Sequence, residues 1–213
     1  MSATVYVPRD SAALAVGADE VASALQAECA RRGLQLKLVR NSSRGLFWLE
    51  PLVEVDTREG RIAYGPVTAD DVPALLDAGL LEGRAHALCQ GRTEAIPYLA
   101  RQERVTFARM GITDPLSLSD YEAHEGWAGL RRALELDGAA IVQEVTQSGL
   151  RGRGGAAFPT GIKWQTVLKT DAAQKYVVCN ADEGDSGTFS DRMTMEGDPY
   201  MLIEGMTIAG LAV

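Results

Sequence analysis

Along the first 81 residues, apolar side chains are spaced in some segments as in a helix and in others as in a strand. In Asp19–Arg32 apolar side chains recur at every fourth position, at Val21, Leu25 and Cys29, which predicts a helix that ends at Gly33. Short runs that alternate in polarity or are rich in β-forming residues predict strands instead. The four predicted strands are Thr4–Val7, Leu34–Val39, Leu52–Asp56 and Arg61–Tyr64.

A turn and a second helix complete this first section. Thr57–Gly60 separates the last two strands and ends in glycine, which is typical of a hairpin. Thr68 precedes acidic residues in the pattern of a helix cap, so a helix is predicted from Asp71 to Leu81. The order strand, helix, strand, strand, strand, helix predicts a compact α/β layer over residues 1–81.

Residues 82–138 are predicted to be a linker that becomes a helical lead-in. His86–Cys89 has the composition of a short strand, whereas Pro97–Arg104 and Asp120–Leu136 have that of helices. A loop around Gly111–Pro115 separates the two predicted helices.

Residues 139–213 hold the segments that suggest chemistry. A helix is predicted over Ala139–Gln147, and a glycine-rich segment follows it. A second helix is predicted from Pro159 or Thr160, since proline is tolerated in a first helical turn. Tyr176–Cys179 predicts a strand that leads into an acidic turn, and a final helix is predicted to begin near Pro199.

Charge and hydropathy exclude several classes of protein. The net charge of −8 disfavours a nucleic-acid surface, which needs a basic stripe. No apolar run follows a basic amino terminus, so a secretory signal is not predicted. The longest apolar stretch, Met201–Val213, is too short to span a bilayer and is predicted to be a buried helix. The chain is therefore expected to be cytoplasmic.

Cysteine and histidine usage gives no reason to expect a metal in this stretch of chain. Cys29, Cys89 and Cys179 are far apart, whereas zinc and iron–sulfur sites use closely spaced pairs. His86 and His124 have no ligand-type neighbours in the sequence, and the simpler interpretation places them at the surface or at helix ends.

The segment Ser148–Gly161 is suited to binding an anion. Glycine accounts for five of the residues from Gly149 to Gly161 and lets a ligand approach the backbone closely. Arg151 and Arg153 alternate with the glycines, and a helix amino terminus follows. Backbone N–H groups, guanidinium groups and a helix dipole together can hold a phosphate. The competing interpretation is a flexible surface loop with solvated arginines.

Two common phosphate motifs do not fit this segment. Gly152–Ala157 satisfies the pattern G-x-G-x-x-A, but the dinucleotide fingerprint requires a strand before it and a helix directly after it. Here a helix is predicted before the pattern, and Pro159 follows it. A P-loop does not fit either, because the segment does not end in Gly-Lys-Ser/Thr.

The acidic turn Asn180–Gly187 is the second candidate. It follows a predicted strand, and ligands of open α/β sheets gather at the carboxyl ends of strands. Asp182, Glu183 and Asp185 can accept hydrogen bonds from ribose or ribityl hydroxyls and from a flavin N–H. The competing interpretation is an ordinary solvated turn. The pairing of this turn with the glycine-rich segment in one strand–helix unit favours a nucleotide site.

Three motifs make the chain similar to a known family. They are SGLRGRGGAAFPTGIKW at 148–164, YVVCNADEGDSGTFSDR at 176–192 and DPYMLIEGM at 198–206. In this order they resemble the FMN-binding subunit of respiratory complex I and the diaphorase subunits of NAD-reducing hydrogenases and NAD-dependent formate dehydrogenases. The variant GDSGTFSDRMTMEGDPY is most similar to the beta subunit of the molybdenum formate dehydrogenases.

The resemblance implies a joint FMN and NAD pocket. Phe158 matches an aromatic residue that stacks on the nicotinamide or adenine side, and Asp185 stands where many relatives carry glutamate at the nucleotide side. Ala157 replaces a glycine that is usual in the family. The chemistry belongs to FMN, so no catalytic side chain is implied. The implied cofactor-binding residues are Gly152, Arg153, Gly154, Gly155, Phe158, Lys163, Asn180, Asp182, Glu183 and Asp185.

The strand–helix–strand order of the first section and its stretch Pro66–Pro73 resemble the thioredoxin-like [2Fe–2S] domain of a neighbouring subunit family. Alignment places the four cluster cysteines of that domain family at Pro8, Ala13, Ser43 and Phe47, and none of these residues is a thiol. The resemblance therefore implies a thioredoxin-like domain that holds no cluster, followed by the start of an α/β FMN-binding domain over 139–213.

The resemblance also implies a function for the intact protein. It would be the subunit of an NAD-dependent formate dehydrogenase that transfers hydride between NAD(H) and FMN and relays electrons to iron–sulfur clusters. Its implied partners are a thioredoxin-like [2Fe–2S] small subunit and a molybdenum/iron–sulfur catalytic subunit. Family members are longer and carry a [4Fe–4S] cluster further along, so the chain is expected to be a fragment. The alternatives are a hydrogenase or complex I diaphorase subunit and a non-catalytic docking module.

Overall fold

In the computed structural model, which describes residues 3–213, the chain forms two compact units. The first comprises residues 3–120 with 196–198, and the second comprises residues 121–195 with 199–213. The strands are β1 (Ala3–Tyr6), β2 (Leu36–Val39), β3 (Val53–Thr57), β4 (Gly60–Tyr64) and β5 (Cys89–Arg92). The helices are α1 (Ser11–Leu14), α2 (Ala18–Arg32), α3 (Val72–Asp77), α4 (Pro97–Ala100), α5 (Leu118–Ala123), α6 (Ala128–Ala133), α7 (Gly138–Gln147), α8 (Thr160–Lys169), α9 (Ser190–Gly197) and α10 (Pro199–Ala212).

The first unit is built on a sheet with the strand order β2-β1-β3-β4-β5. β1 and β2 run parallel and are joined through α2, whereas the β3–β4 hairpin pairs antiparallel with β1. A parallel strand–helix–strand unit extended by an antiparallel hairpin is a thioredoxin-like arrangement. The predicted α/β fold class is therefore confirmed.

The core of this unit forms where α2 covers the sheet. Val21, Leu25 and Cys29, the residues of the predicted helical period, are buried together with Val5 and Val55 of the strands. Burial of one such aliphatic side chain contributes about 1.5–3 kcal/mol. Gly33 ends α2 in the left-handed conformation, as the sequence predicts.

The second unit is helical in its described residues, and its core lies between four helices. Ala133, Ile141, Val142 and Ala212 are buried, and Trp164 of α8 packs against them. No helix among residues 3–213 combines the length and the apolar composition that a membrane span requires.

Three predicted helices are shorter in the structure. Asp120–Leu136 is divided into α5 and α6, because Glu125 and Trp127 take left-handed φ values of 66° and 64°. Asp71–Leu81 is interrupted by Gly79, which ends α3 at a φ of 91°. The helix predicted over Pro97–Arg104 ends at Ala100, because the exposed residues 101–103 give a longer helix no face to pack.

Two predicted strands differ as well. The strand predicted at His86–Cys89 is found at Cys89–Arg92, because pairing with Ile62–Tyr64 of β4 fixes its position. Tyr176–Cys179 is not a strand, since it hydrogen-bonds to no neighbouring strand in the described chain; Tyr176 and Val178 are 79% and 83% exposed.

The apolar run Met201–Val213 forms α10, which begins at Pro199 as predicted, but it is not a uniformly buried helix. Ile203 and Leu211 are exposed, whereas Glu204, the charged residue in the run, is buried. Glu204 is turned inward because it accepts hydrogen bonds from three groups of the second unit, described below. The sequence pattern did not predict α1 and α9.

Candidate cofactor-binding site

The glycine-rich segment is a loop between α7 and α8, and the two helices fix its ends. A short antiparallel bridge closes its base, where the Gly152 N–H donates to the Phe158 carbonyl at 2.9 Å. Gly161 of α8 lies directly against Thr146 of α7, so a larger residue there would separate the helices. We call residues 151–158 the glycine loop.

The outer side of the glycine loop is open and rich in donors. Within the described chain the N–H groups of Arg153, Gly154 and Gly155 donate to no acceptor. A Cβ atom added at Gly154 or Gly155 would meet no atom within 4 Å. Adjacent unpaired backbone N–H groups form a concave donor surface of the kind that binds phosphate oxygens.

Both arginines of the glycine loop use one nitrogen to support the loop. Arg151 Nη1 donates to the Ala157 carbonyl at 2.9 Å, and Arg153 Nη1 donates to the Arg151 carbonyl at 2.8 Å. Their remaining N–H groups stay available, since a guanidinium carries five. The Lys163 ammonium lies 5.7 Å from the centre of the half-exposed Phe158 ring and adds a positive charge near Gly152.

The backbone conformation distinguishes two adjacent glycines of the loop. Gly155 has a left-handed φ of 93°, but Gly154 does not, so a strain argument applies to Gly155 and not to Gly154. Ala157, which replaces a family glycine, also has a left-handed φ, of 50°. Its methyl group is therefore accommodated in a conformation that usually favours glycine.

The side chains of the acidic turn differ in role: some stabilise the local backbone, and others are exposed to solvent. The Asn180 side-chain oxygen accepts from the Asp182 N–H at 3.0 Å and tightens the turn. Asp182 and Asp185 are exposed to solvent. Glu183 instead points toward α9, at a left-handed φ of 51°.

Glu183 holds the amino terminus of α9. Its carboxylate accepts from the Ser190 hydroxyl at 3.0 Å and from the N–H groups of Asp191 and Arg192 at 2.9 and 3.1 Å. Desolvation raises the pKa of this carboxyl, but the hydrogen bonds outweigh it and hold the pKa below its usual value. The charge is stabilised because a helix amino terminus favours an anion.

The predicted site residues thus lie in two groups within the second unit. Among residues 3–213, no hydrogen bond or ion pair joins the glycine loop to the acidic turn. The described residues also contain no group of three His, Cys, Asp or Glu side chains placed to hold a metal ion.

Sequence reasoning missed Glu204, which organises the helices of the second unit. Its carboxylate accepts from the Trp127 and Leu130 N–H groups at 2.9 and 2.8 Å and from the Tyr121 hydroxyl. The one signal was a single acidic residue within the apolar run of α10, which suggested an interruption and not an interior anchor.

Comparison with family models finds a similarity that includes both the glycine loop and the acidic turn. Residues 145–213 match the family model described as the Nuo51 FMN-binding domain. The HndC subunit of the NADP-reducing hydrogenase of Solidesulfovibrio fructosivorans is 50% identical over 113 residues, 53% of this chain and 23% of that protein. The second F-type subunit of the NADH-quinone oxidoreductase of Rhizobium meliloti is 49% identical over 112 residues, 52% of this chain and 27% of that protein.

Two solved structures resemble the chain more distantly. The match to an NAD⁺-reducing [NiFe]-hydrogenase extends over 99% of this chain and 35% of the hydrogenase chain, with 22% sequence identity and a TM-score of 0.40. The match to a thioredoxin-like [2Fe–2S] ferredoxin from Aquifex aeolicus extends over 42% of this chain and 97% of the ferredoxin, with 19% sequence identity and a TM-score of 0.36.

The sequence matches are stronger but cover only part of each relative. The matched stretch spans about a quarter of the length of the two curated relatives, 23% and 27%. Over residues 145–213 the chain is therefore similar to the FMN-binding domain that this family model describes.

Proposed function

We propose that the chain is part of a subunit that binds FMN and NAD(H), transfers hydride between them and passes electrons to iron–sulfur clusters. The observation that carries the proposal is that the FMN-binding domain match, residues 145–213, contains both the glycine loop and the acidic turn. The open, donor-rich outer side of the glycine loop fits the phosphate of such a cofactor.

The glycine loop is assigned to the phosphate. The N–H groups of Arg153, Gly154 and Gly155 would donate to phosphate oxygens, Gly152 would shape the base, and Lys163 would supply a nearby cation. A hydrogen bond to a charged group contributes about 1.5–3 kcal/mol.

The acidic turn is assigned to the hydroxyl and ring groups of the cofactors. Asp182 and Asp185 would accept hydrogen bonds from ribityl or ribose hydroxyls, and Asn180 would pair with a flavin ring group. Glu183 is assigned to the same pocket, where it also holds α9 in place. Phe158 would stack on the nicotinamide or adenine ring.

When bound, FMN would supply the redox chemistry by exchanging a hydride with NAD(H) and releasing electrons singly. The residues of this chain bind and orient the two nucleotides. None of them is assigned a proton to donate or remove.

A domain organisation follows from the same proposal. Residues 1–81 form a thioredoxin-like domain without cluster ligands, 82–138 a linker and helical lead-in, and 139–213 the amino-terminal part of the FMN/NAD-binding domain. Iron and sulfide assays on the 213-residue chain test the first assignment. We expect neither element, and a stoichiometric [2Fe–2S] signal would overturn it.

The finer proposal is that the chain belongs to a molybdenum formate dehydrogenase, with a thioredoxin-like [2Fe–2S] subunit and a molybdenum/iron–sulfur subunit as partners. Its support is the sequence variant GDSGTFSDRMTMEGDPY at 184–200. The second candidate is the diaphorase subunit of a hydrogenase, favoured by the 50% identity with HndC.

One experiment separates the two candidates. The full-length protein is purified with the subunits that accompany it, its molybdenum content is measured, and NAD⁺ reduction is followed with formate and with hydrogen. Formate-dependent NADH formation by a molybdenum-containing complex supports the finer proposal. Hydrogen-dependent reduction supports the second candidate, and a complex without flavin contradicts both.

A further inference from the structure

The short segment between α9 and α10, residues 196–198, belongs to the first unit, although it lies far along the chain from the rest of that unit. We call it the α9–α10 junction. Gly197 and Asp198 are buried in it, and Asp198 is only 3% exposed. Neither residue is among those that the resemblance implies for cofactor binding, so the proposed function assigns no task to this junction.

Hydrogen bonds hold the α9–α10 junction at both of its ends. The Asp198 carboxylate accepts from Arg109 Nε at 2.7 Å in a largely buried ion pair. The Glu196 carboxylate accepts from the Ser11 N–H at 2.9 Å and from the Ser11 hydroxyl at 2.8 Å. Because exposed polar contacts are weakened by solvent, the buried bond of Asp198 contributes more to the attachment than the exposed bonds of Glu196.

Gly197 lets the junction approach Ser42 closely. A Cβ atom at residue 197 would lie 2.8 Å from Ser42 Oγ and 3.1 Å from Ser42 Cβ, closer than side chains ordinarily pack. Ser42 is buried, and its hydroxyl accepts from the Gly111 N–H at 3.1 Å, so it cannot turn aside without losing that bond. The position therefore admits no side chain unless the junction shifts.

α9 connects the junction to the acidic turn. Glu183 accepts hydrogen bonds from three groups of residues 190–192, the first turn of α9. The last residues of the same helix, 196 and 197, belong to the junction. A helix of this length rises about 12 Å, and its backbone hydrogen bonds make it a stiff connection, so a shift at one end moves the other.

We propose that the α9–α10 junction positions the acidic turn for NAD(H). The contacts at residues 196–198 fix the carboxyl end of α9, and the amino end of α9 fixes Glu183, whose neighbours Asp182 and Asp185 are assigned to cofactor hydroxyls. The residues of the junction are positioning residues, because they act through α9 and not on the ligand. The inference rests on the proposed function, and it gives the first unit a task in nucleotide binding.

Gly197→Ala in the full-length protein is the direct test. The added methyl group would push the junction away from Ser42 and loosen the hold of α9 on Glu183. We expect the KM for NADH with an artificial electron acceptor to rise about tenfold, the loss of one hydrogen bond to a charged group, while kcat changes by less than about twofold. FMN should stay bound, because its phosphate is assigned to the glycine loop. Gly205→Ala is the matched control and should leave the KM unchanged, since a Cβ atom at this helical glycine would meet no atom within 4 Å.

Ser42→Gly provides the rescue. It removes both Ser42 atoms that a methyl group at residue 197 would meet, and the other neighbour, Met110 Cγ at 3.3 Å, belongs to a flexible side chain. The double variant Gly197→Ala/Ser42→Gly should therefore recover the KM of the unsubstituted protein. Ser42→Gly alone loses the acceptor of the Gly111 N–H, so it should lower the Tm and leave the KM unchanged. This comparison separates a change of position from a loss of stability.

Hydrogen exchange gives a second readout that requires no turnover of NADH. Glu183 accepts from the Asp191 and Arg192 N–H groups, so their exchange should become about tenfold faster in Gly197→Ala and return to the original rate in the double variant. An unchanged exchange rate, an unchanged KM, or a raised KM that Ser42→Gly does not reverse would overturn the inference. If the unsubstituted protein binds no FMN or does not oxidise NADH, the proposed function fails and the NAD(H) role with it, whereas the exchange rates still decide whether the junction holds the acidic turn.

Glu196→Ala covers the case in which Gly197→Ala does not fold. It removes the acceptor of both Ser11 bonds and adds no atom to the packed junction. We expect the KM for NADH to rise about threefold, in line with the loss of exposed hydrogen bonds. A KM equal to that of the unsubstituted protein would contradict the positioning role of the junction.

Discussion

At the scale of single residues, the buried side chain of Glu50 lies in the part of the first unit where related domains are expected to carry cluster cysteines. The carboxyl group is buried, accepts from the Ser43 hydroxyl at 2.5 Å and from the Leu52 N–H at 2.9 Å, and belongs to the loop that contains two of the non-cysteine positions. Burial raises the pKa of Glu50 to about 7, although both hydrogen bonds lower it.

The raised pKa of Glu50 predicts a stability that decreases as the pH rises. The folded protein holds the proton up to about pH 7, whereas the unfolded chain releases it near the usual pKa of 4.5. The stabilisation is therefore complete below pH 4.5 and is lost as the pH passes 7, by up to roughly 3 kcal/mol. Urea unfolding between pH 5 and pH 8 measures this slope.

Glu50→Gln should remove the slope, because a neutral amide can occupy the same place without titrating. Exposed Glu59→Gln serves as the control and should keep the slope of the unsubstituted chain. Equal slopes for Glu50→Gln and the unsubstituted chain would show that another group titrates.

Gly154 and Gly155 are adjacent, yet their substitution should act differently. Gly155→Val forces a β-branched residue to a φ of 93° and should cost about 1–3 kcal/mol of loop stability. Gly154→Val meets no neighbour within 4 Å and should leave the free energy of unfolding unchanged, but its methyl groups would occupy the outer side of the loop.

In the full-length protein, Gly154→Val should therefore fold normally and lose FMN. The FMN content after purification and the urea midpoint are measured for both variants. Full flavin content in Gly154→Val would show that the phosphate does not bind at the glycine loop.

Asp185→Ala should chiefly weaken NAD(H) binding. Asp185 is exposed and lies farther along the acidic turn than Asp182, at the position that the resemblance assigns to the nucleotide. Loss of one carboxylate–hydroxyl hydrogen bond should cost about 1.5–3 kcal/mol, roughly 10- to 150-fold in affinity. The KM for NADH with an artificial acceptor should rise while FMN stays bound; flavin loss with an unchanged KM would place Asp185 at the flavin instead.

At the scale of elements, the sequence pattern predicted correctly the helix and the hairpin whose positions depend on interactions between residues close together in the chain. The period of Val21, Leu25 and Cys29 placed α2 within one residue, and the Thr57–Gly60 turn placed the β3–β4 hairpin. The sequence pattern did not predict the end of a helix where a residue distant in the chain determines it. Glu204 binds the Trp127 and Leu130 N–H groups, where one predicted helix becomes α5 and α6.

The same limit applied to the candidate site. The sequence motifs identified the glycine loop and the acidic turn as candidate binding segments, and in the structure each of them lies between two helices. The sequence could not show that Glu183 holds α9 or that Ala157 is left-handed, because both depend on how the loops fold back. Tyr176–Cys179 has strand composition, but a strand requires a hydrogen-bonded neighbour as well as a suitable composition.

Glu204 gives a prediction at the scale of elements. Glu204→Leu would leave the Trp127 and Leu130 N–H groups and the Tyr121 hydroxyl without their acceptor, each a loss of about 1–3 kcal/mol. We expect the free energy of unfolding to fall by at least about 2 kcal/mol. Ile203→Thr, at the exposed neighbouring position, should change it by less than about 0.5 kcal/mol, and similar losses for both would contradict the anchoring role.

At the scale of the whole molecule, the two segments proposed to bind the cofactors, the glycine loop and the acidic turn, are both open to solvent. Phe158 is half-exposed, and within the described chain no bond joins the glycine loop to the acidic turn. The 213-residue chain should therefore bind FMN weakly, since a flavin site must cover most of its ligand. Fluorescence titration with FMN should give a Kd above about 1 μM, and tighter binding would show that the described residues already form the complete pocket.

The proposed function requires that the full-length protein carry FMN and that this FMN accept hydride from NADH. The most direct measurement is the flavin absorbance of the purified full-length protein, with the released flavin quantified, before and after NADH is added without oxygen. We expect about one FMN per chain and rapid bleaching of the flavin absorbance by NADH. A protein that binds no flavin, or a bound flavin that NADH does not bleach, would contradict it.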